Sequence, residues 1–93
     1  MIIAAMTFRL HAPWAHSLKE KRMIVKSLVA QLQNRFHVSA AETDEQDVHQ
    51  IIVIGGAAVV PHSALADSLM DDISRFVETA TDAELVEETR EIR

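Results

Sequence analysis

The sequence predicts an α+β fold of the ferredoxin-like class, with a four-stranded antiparallel sheet and two helices on one of its faces. Hydrophobic periodicity indicates the element order βαββαβ, which is the order of the split βαβ motif. The first and third strands are the most apolar, as central strands should be, while the second and fourth carry charges that protect sheet edges. The 93 residues suffice for one core, so we expect a single domain over 1–93.

The first strand is predicted over Ile2 to His11, where apolar residues of both parities give way to an alternation of polar and apolar residues. Ser17 and Glu20 then have the spacing of a capping box, so a helix should begin at Leu18. At about 3.6 residues per turn, six apolar residues fall within a sector of about 100°, which predicts a core-facing helix over 18–35. These residues are Leu18, Val25, Leu28, Val29, Leu32 and Phe36.

The middle of the chain predicts a hairpin, with a short strand over 38–43, an acidic turn and a long strand over 48–60. The glycine pair at 55–56 indicates a bulge or a close approach of another group to the backbone. Ser63 is the predicted N-cap of a second helix, which has one apolar and one acidic face. Residues 84–92 predict a charged last strand.

The composition excludes several classes of protein. Because the chain has no cysteine, it has no disulfides, no thiol nucleophile and no cysteine-based zinc site, and a reducing cytoplasm suits it. Its longest apolar run, 51–60, is about half the length needed to cross a bilayer, and its start lacks a basic signal-peptide region. We therefore expect a cytoplasmic protein without a membrane partner.

The net charge of −5 conceals an uneven distribution along the chain. Residues 1–40 carry six Lys or Arg against one acid, whereas residues 41–93 carry three against thirteen. Such a division can create opposed surface patches, and a partner responds to the field of a patch more than to the average charge. The acidic average therefore does not exclude RNA as a partner.

The strongest candidate for a binding surface is a row of cations on the first helix. Lys19, Arg22 and Lys26 fall within about 60° of each other, on the side opposite the core-facing stripe, and Gln33 continues the row. We call these three cations the basic ridge. The functional interpretation is contact with RNA phosphates, helped by the helix dipole and by Trp14 as a stacking surface. The alternative is an ordinary solvated helix face.

Lys21 marks a second candidate site. Its calculated direction on the helix is toward the sheet, so it should either extend its ammonium to the end of the sheet or pair with an acid, for which Glu42 or Asp44 is the natural partner. The alternative is an anion-binding site formed by His16, Ser17 and Lys21, since the start of a helix is a usual place for a phosphate. Both interpretations stay open at this point.

Motifs for catalysis and metal binding are missing from the sequence. Small acylphosphatases share the predicted fold and hold phosphate in the loop after the first strand, but here residues 12–17 contain neither glycine nor arginine. Five histidines occur without a metal-ligand spacing, and no nucleotide-binding motif surrounds the glycine pair. We therefore assign no catalytic residue, no metal site and no cofactor.

Two segments carry a resemblance to a known family: residues 13–22, PWAHSLKEKR, and residues 38–47, VSAAETDEQD. They resemble the YlxP-like family of small bacterial proteins, and the resemblance spans nearly the whole chain. It implies a ferredoxin-like fold, no established biochemical activity, and a cytoplasmic role in contact with ribosomes or RNA, because such proteins tend to be encoded beside translation and ribosome-maturation factors. The chain departs from the family pattern at Trp14 and Thr43, which bears on the first loop more than on the fold.

Three functional hypotheses follow. The leading one is a non-enzymatic module that binds ribosomal RNA or a ribosome precursor through the basic ridge, with no DNA partner. The second is a homo-oligomeric module, preferably a dimer, that binds another protein through the sheet face away from the helices, because apolar residues of the central strands point to both faces. The third is an enzyme or binder acting on a small anion near His16, Ser17 and Lys21.

Overall fold

The computed structural model describes residues 1–93. Its elements are β1 (Ile2–His11), α1 (Leu18–Phe36), β2 (Ser39–Asp44), β3 (Ile51–Val60), α2 (Ser63–Ala80) and β4 (Glu84–Ile92). The strands lie in the order β2-β3-β1-β4, and all neighbours are antiparallel. This confirms the predicted ferredoxin-like βαββαβ arrangement, with β1 and β3 in the middle of the sheet. Neither helix combines the length and the apolar content that crossing a membrane requires.

The core lies between the two helices and one face of the sheet. Along β1 the even-numbered residues from Ala4 onward, among them Phe8 and Leu10, are buried, while the odd-numbered ones are only partly buried. Leu28 and Leu32 of α1 and Val77 of α2 pack against this side, as the predicted stripes require. Because strand side chains alternate between faces, the odd-numbered residues of β1 and β3 form the opposite side of the sheet. We call it the open face, since no other element covers it.

The turn between β2 and β3 is longer than predicted. The prediction placed Val48 at the start of the long strand, but β3 begins at Ile51. The Val48 amide donates to the Glu45 carbonyl at 3.1 Å, and the Val48 carbonyl accepts a hydrogen bond from the Lys21 ammonium. These bonds use the backbone groups that a strand would pair with its neighbour, so the chain turns there instead.

The two helices are capped by different chemistry. Ser17 caps α1 as predicted, because its hydroxyl accepts a hydrogen bond from the Glu20 amide at 3.1 Å. The prediction for α2 was wrong: the N-cap is His62, whose Nδ1 accepts from the Leu65 amide at 3.2 Å, and Ser63 is already the first helical residue. The cap must have extended backbone, and His62 is the extended residue at this junction.

The glycine pair reflects a close approach, one of the two alternatives predicted. A Cβ at Gly55 would lie 2.8 Å from Thr43 Cγ2, which is too short for a real contact. At Gly56 a Cβ would meet the Ser39 carbonyl at 3.6 Å, which is an ordinary contact. Thr43 lies at an irregularity in the pairing of β2 with β3, between Glu42 and Asp44. The space above Gly55 is therefore taken by the Thr43 side chain.

Candidate nucleic-acid interface

The basic ridge lies on the first turns of α1, and all three of its side chains are exposed. Glu20 strengthens the capped start of the helix, since its carboxylate accepts a hydrogen bond from the His16 amide at 3.1 Å. The ridge covers about 10 Å of the helix, at about 1.5 Å per residue from Lys19 to Lys26. It therefore presents a short, rigid row of positive charge.

The ridge is distinguished by the absence of acidic partners. Five of the nine Lys and Arg residues form ion pairs: Arg9, Lys21, Arg75, Arg90 and Arg93. The four that form none all belong to α1: Lys19, Arg22, Lys26 and Arg35. An ion pair cancels much of the field of a cation, whereas an unpaired cation keeps its full charge for a partner. The positive field of the molecule is therefore concentrated on α1.

The ridge borders the β2 side of the molecule. Gln33, which continues the row, donates from its side-chain amide to the Ala40 carbonyl of β2 at 3.2 Å. Residues that share a row on a helix share its flank. The three cations of the ridge are exposed, and the row ends at Gln33 beside the edge strand β2.

Trp14 lies apart from the ridge. Its side chain is 44% exposed and lines a groove together with Met23 and Ser27 of α1 and with residues 80–82 at the end of α2. No residue of the ridge lines this groove. The structure therefore brings Trp14 together with the α2 side of α1, and not with the three cations.

Arg35 is a member of the cationic surface that the sequence analysis missed. Its guanidinium carbon lies 4.9 Å from the ring centre of Phe76 and 5.9 Å from that of Phe36, and the two rings meet edge to face at 5.5 Å. Such cation–π contacts hold the guanidinium plane in place without cancelling its charge. An exposed planar guanidinium is a surface on which an unpaired base can stack.

Lys21 is the one fully buried charged residue, with 0% of its surface exposed. Its Nζ lies 2.9 Å from Glu42 Oε2 and donates to the carbonyl oxygens of Glu45 and Val48, the latter at 2.8 Å. The predicted ion pair is thus formed with Glu42 and not with Asp44. Two of the three oxygens around the ammonium accept hydrogen bonds and the third is its ion-pair partner, and the fully buried side chain is closed to an external anion.

The Glu42 side of this pair is also enclosed. Oε2 is buried and accepts no hydrogen bond of good geometry from any group, so its charge is balanced by the ammonium alone. A buried carboxylate without such a partner is strongly unfavourable. The pair therefore ties the start of α1 to β2 and to the turn after it.

The remaining residues of the anion hypothesis are engaged in capping. The Ser17 hydroxyl accepts from the helix, and the His16 backbone amide donates to Glu20. No group of three or more His, Asp and Glu side chains has an arrangement that could hold a metal ion. The structure thus assembles a charged surface on α1, while Lys21, Ser17 and Glu20 serve the fold locally.

The opposite side of the molecule, formed by α2 and β4, is acidic and internally paired. Arg90 of β4 donates to Asp71 of α2 at 2.6 Å and to Glu88 at 2.8 Å. The hydrogen bond from Arg90 lowers the pKa of Asp71, and the bond from Arg93 lowers that of Glu91. Both carboxylates therefore stay ionised in mild acid, and they balance the charges of Arg90 and Arg93 through local ion pairs.

Comparison with known proteins identifies the family. The family model described as "Protein of unknown function (DUF503)" matches residues 3–90. The "Uncharacterized protein YlxP" of Bacillus subtilis (strain 168) is 33% identical over 70 residues, which cover 75% of this chain and 76% of that protein. The chain belongs to the DUF503 family, and the predicted YlxP-like resemblance is confirmed. For this DUF503 protein the family description names no activity, so the surface of α1 is the starting point for a function.

Proposed function

We propose that the protein is a non-enzymatic module that binds ribosomal RNA or a ribosome precursor through Lys19, Arg22 and Lys26. The observation that carries the proposal is the separation of paired from unpaired cations. Every Lys and Arg outside α1 has a carboxylate partner, while the ridge and Arg35 have none. Phosphate groups are the anions that a row of exposed, unpaired cations attracts best.

The dimensions of the ridge favour a modest, salt-sensitive interaction. The positive end of the α1 dipole lies at Ser17, beside the ridge, and adds to the attraction for phosphate. Three phosphate contacts to single-stranded RNA give a slope of about −2 for log K against log salt concentration, at about −0.7 per contact. Binding should therefore be strong only at low salt unless further contacts add to it.

Arg35 supplies a candidate further contact. Its guanidinium is exposed on the α2 side of α1, stacked on Phe76, and a base could stack on its free side. A strand of RNA that crossed the outer surface of α1 would meet the ridge first and Arg35 next. Such a path favours an unpaired segment over a duplex, since only an unpaired base can stack on a side chain.

The test is cosedimentation of the protein with ribosomal subunits, together with fluorescence anisotropy on ribosomal RNA fragments, at several salt concentrations. We expect the variant Lys19→Gln, Arg22→Gln, Lys26→Gln to lose at least about tenfold in affinity at low salt, and its salt slope to approach zero. The matched control is Ala64→Glu, Ser68→Glu, Thr79→Glu, which changes the net charge equally at exposed positions of α2.

The control separates the local surface from the total charge. If the ridge binds RNA, the α2 variant keeps most of the affinity and the full salt slope. Equal loss in both variants would mean that only net charge matters, and it would contradict a site on α1. Unchanged binding in the ridge variant, or no binding by the native protein at any salt concentration, would overturn the proposal.

A further inference from the structure

The open face of the sheet is unusual for a surface exposed to water. Its positions on the two central strands are mostly apolar or glycine, with Arg9 the one Lys or Arg among them. They pair across β1 and β3 as Ile3 with Val59, Ala5 with Ala57, Thr7 with Gly55, Arg9 with Val53, and His11 with Ile51, and of these only Val53 is already buried in a single copy. Val59 stands out because it belongs to a central strand and is still 68% exposed. Contiguous apolar surface of this kind marks an interface.

The size of the open face matches what a dimer needs. Four strands about 4.8 Å apart, with about 3.3 Å per residue over the length of β1, cover roughly 600 Å² on each copy. Two such faces give about 1,200 Å², which is the lower end of the range for stable protein interfaces. A second copy of the chain is the simplest occupant, since a two-fold axis lets the same face serve both copies.

The charges on the outer strands favour one orientation. Glu87 and Glu91 of β4 pair with Arg9 and Ala5 and therefore lie on the open face, whereas β2 brings only one acid to it, Asp44, which pairs with Val53. A two-fold axis perpendicular to the strands would place β4 of one copy over β4 of the other and bring these acids together. An axis along the strands reverses the strand order, so β4 lies over β2 of the second copy, where Glu91 faces Ser39 and only Glu87 faces an acid, Asp44.

The same axis also matches the central strands. With the axis along the strands, β1 lies over β3 of the second copy at the same level. Ile3 then faces Val59 and Ala5 faces Ala57, so the apolar end of the face meets the apolar end of its copy. Two sheets with nearly aligned strands are a common packing of inner faces.

From these observations we propose that two copies of the chain form a dimer through the open face, with the two-fold axis running along the strands. Val59 and Ile3 form the apolar part of the interface, at one end of the strands. Each β4 covers the β2 of the other copy. Because the basic ridge belongs to α1, on the far side of the sheet, it stays outside this interface. The experiments on the dimer therefore test a different surface from the experiments on RNA binding.

The first test is sedimentation equilibrium of the native protein and of the variant Val59→Glu. The native protein should sediment at twice its monomer mass of 10.4 kDa at micromolar concentration. Val59→Glu should raise the dimer dissociation constant by more than about 100-fold, because it buries an unpaired carboxylate in the interface. Its circular dichroism should be unchanged, since this side chain is exposed in a single copy.

The matched control is Met23→Glu, which places the same charge on α1 at a residue that is 66% exposed. It should leave the dimer intact. A native protein that stays monomeric at high micromolar concentration would overturn the proposal. A dimer that Val59→Glu leaves unchanged would overturn it as well, since the interface would then lie elsewhere.

The second test fixes the orientation by cross-linking, which is clean because the native chain has no cysteine. Thr89 and Ala41 lie at one level of the sheet, since both pair with the Thr7–Gly55 level of the central strands. A mixture of the single variants Thr89→Cys and Ala41→Cys should be joined by a short bis-maleimide, whereas neither variant alone should be. Efficient cross-linking between two copies of the Thr89→Cys variant would overturn the proposed axis and indicate a two-fold axis perpendicular to the strands.

Discussion

The side of the molecule formed by α2 and β4 differs from α1 in whether its cations form ion pairs. On the side of α2 and β4 the arginines are paired: Arg75 with Asp72, Arg90 with Asp71 and Glu88, and Arg93 with Glu91. On α1 the four exposed cations form no ion pair, although Glu20 lies beside Lys19 in the first turn. The difference arises because the strand order β2-β3-β1-β4 places β4, with its four glutamates, at the sheet edge opposite β2, beside which α1 packs. Charge separation in the sequence thus becomes charge separation in space.

A second contrast lies within α1 itself, between a buried cation and exposed ones. Lys21 is enclosed by three oxygens, whereas Lys19, two residues earlier, faces solvent. The two lysines are close in sequence and opposite in environment.

The largest effect is expected for Lys21→Met. Removing the ammonium leaves Glu42 Oε2 buried without a partner and frees the carbonyls of Glu45 and Val48. Loss of one partner of a buried ion pair costs about 3–5 kcal/mol of unfolding free energy. Urea unfolding followed by circular dichroism measures this cost, and Lys19→Met is the control, with a change within about 0.5 kcal/mol. Equal stability of the two variants would contradict the buried ion pair.

A smaller effect is expected at the start of α2. His62→Ala removes the acceptor of the Leu65 amide and should cost about 1 kcal/mol of unfolding free energy, as the loss of an N-cap usually does. Ser63→Ala is the matched control and should change little, since Ser63 lies inside the first turn. Thermal or urea unfolding of the two variants compares them directly. A larger loss of unfolding free energy for Ser63→Ala than for His62→Ala would instead identify Ser63 as the N-cap, as the sequence predicted.

The smallest effect is expected for the pairing of Asp71 with Arg90. Because the folded-state pKa of Asp71 is lowered by this hydrogen bond, its stabilising contribution is present above the unfolded pKa of about 3.9. It is lost as the pH falls through the folded pKa, when the carboxylate becomes protonated. The stability difference between the native protein and Asp71→Asn should thus be constant near neutral pH and shrink in strong acid. Unfolding curves from pH 7 downward measure it, and a difference that grew in acid would contradict this assignment.

Much of the local structure was predictable because its causes are local. The strands β1 and β4, the start of α1 and the Ser17 cap each depend on a short pattern of apolar residues or on one side chain near its own backbone. The Lys21–Glu42 pair was also foreseeable, since the helix period gave the direction of Lys21 and the topology brought β2 near it. A buried lysine needs a nearby acid, which restricts the choice of partner.

The features that were missed depend on residues distant in sequence. Arg35 is held by Phe76, about forty residues later in the chain, and no local pattern connects the two. The turn at Val48 includes a hydrogen bond from the Lys21 ammonium, and Trp14 lines one groove with residues 80–82. Only the folded chain brings such groups together.

The sequence by itself determined the order of the elements, which strands are central and how charge divides between the two halves of the chain. These properties follow from hydrophobic periodicity and composition, which do not depend on distant contacts. Only the tertiary structure decided which cations are paired, which flank of α1 carries the ridge, and which residues make up the open face. The physical reason is that ion pairing and exposure depend on neighbours in space, and the fold chooses those neighbours from both halves of the chain.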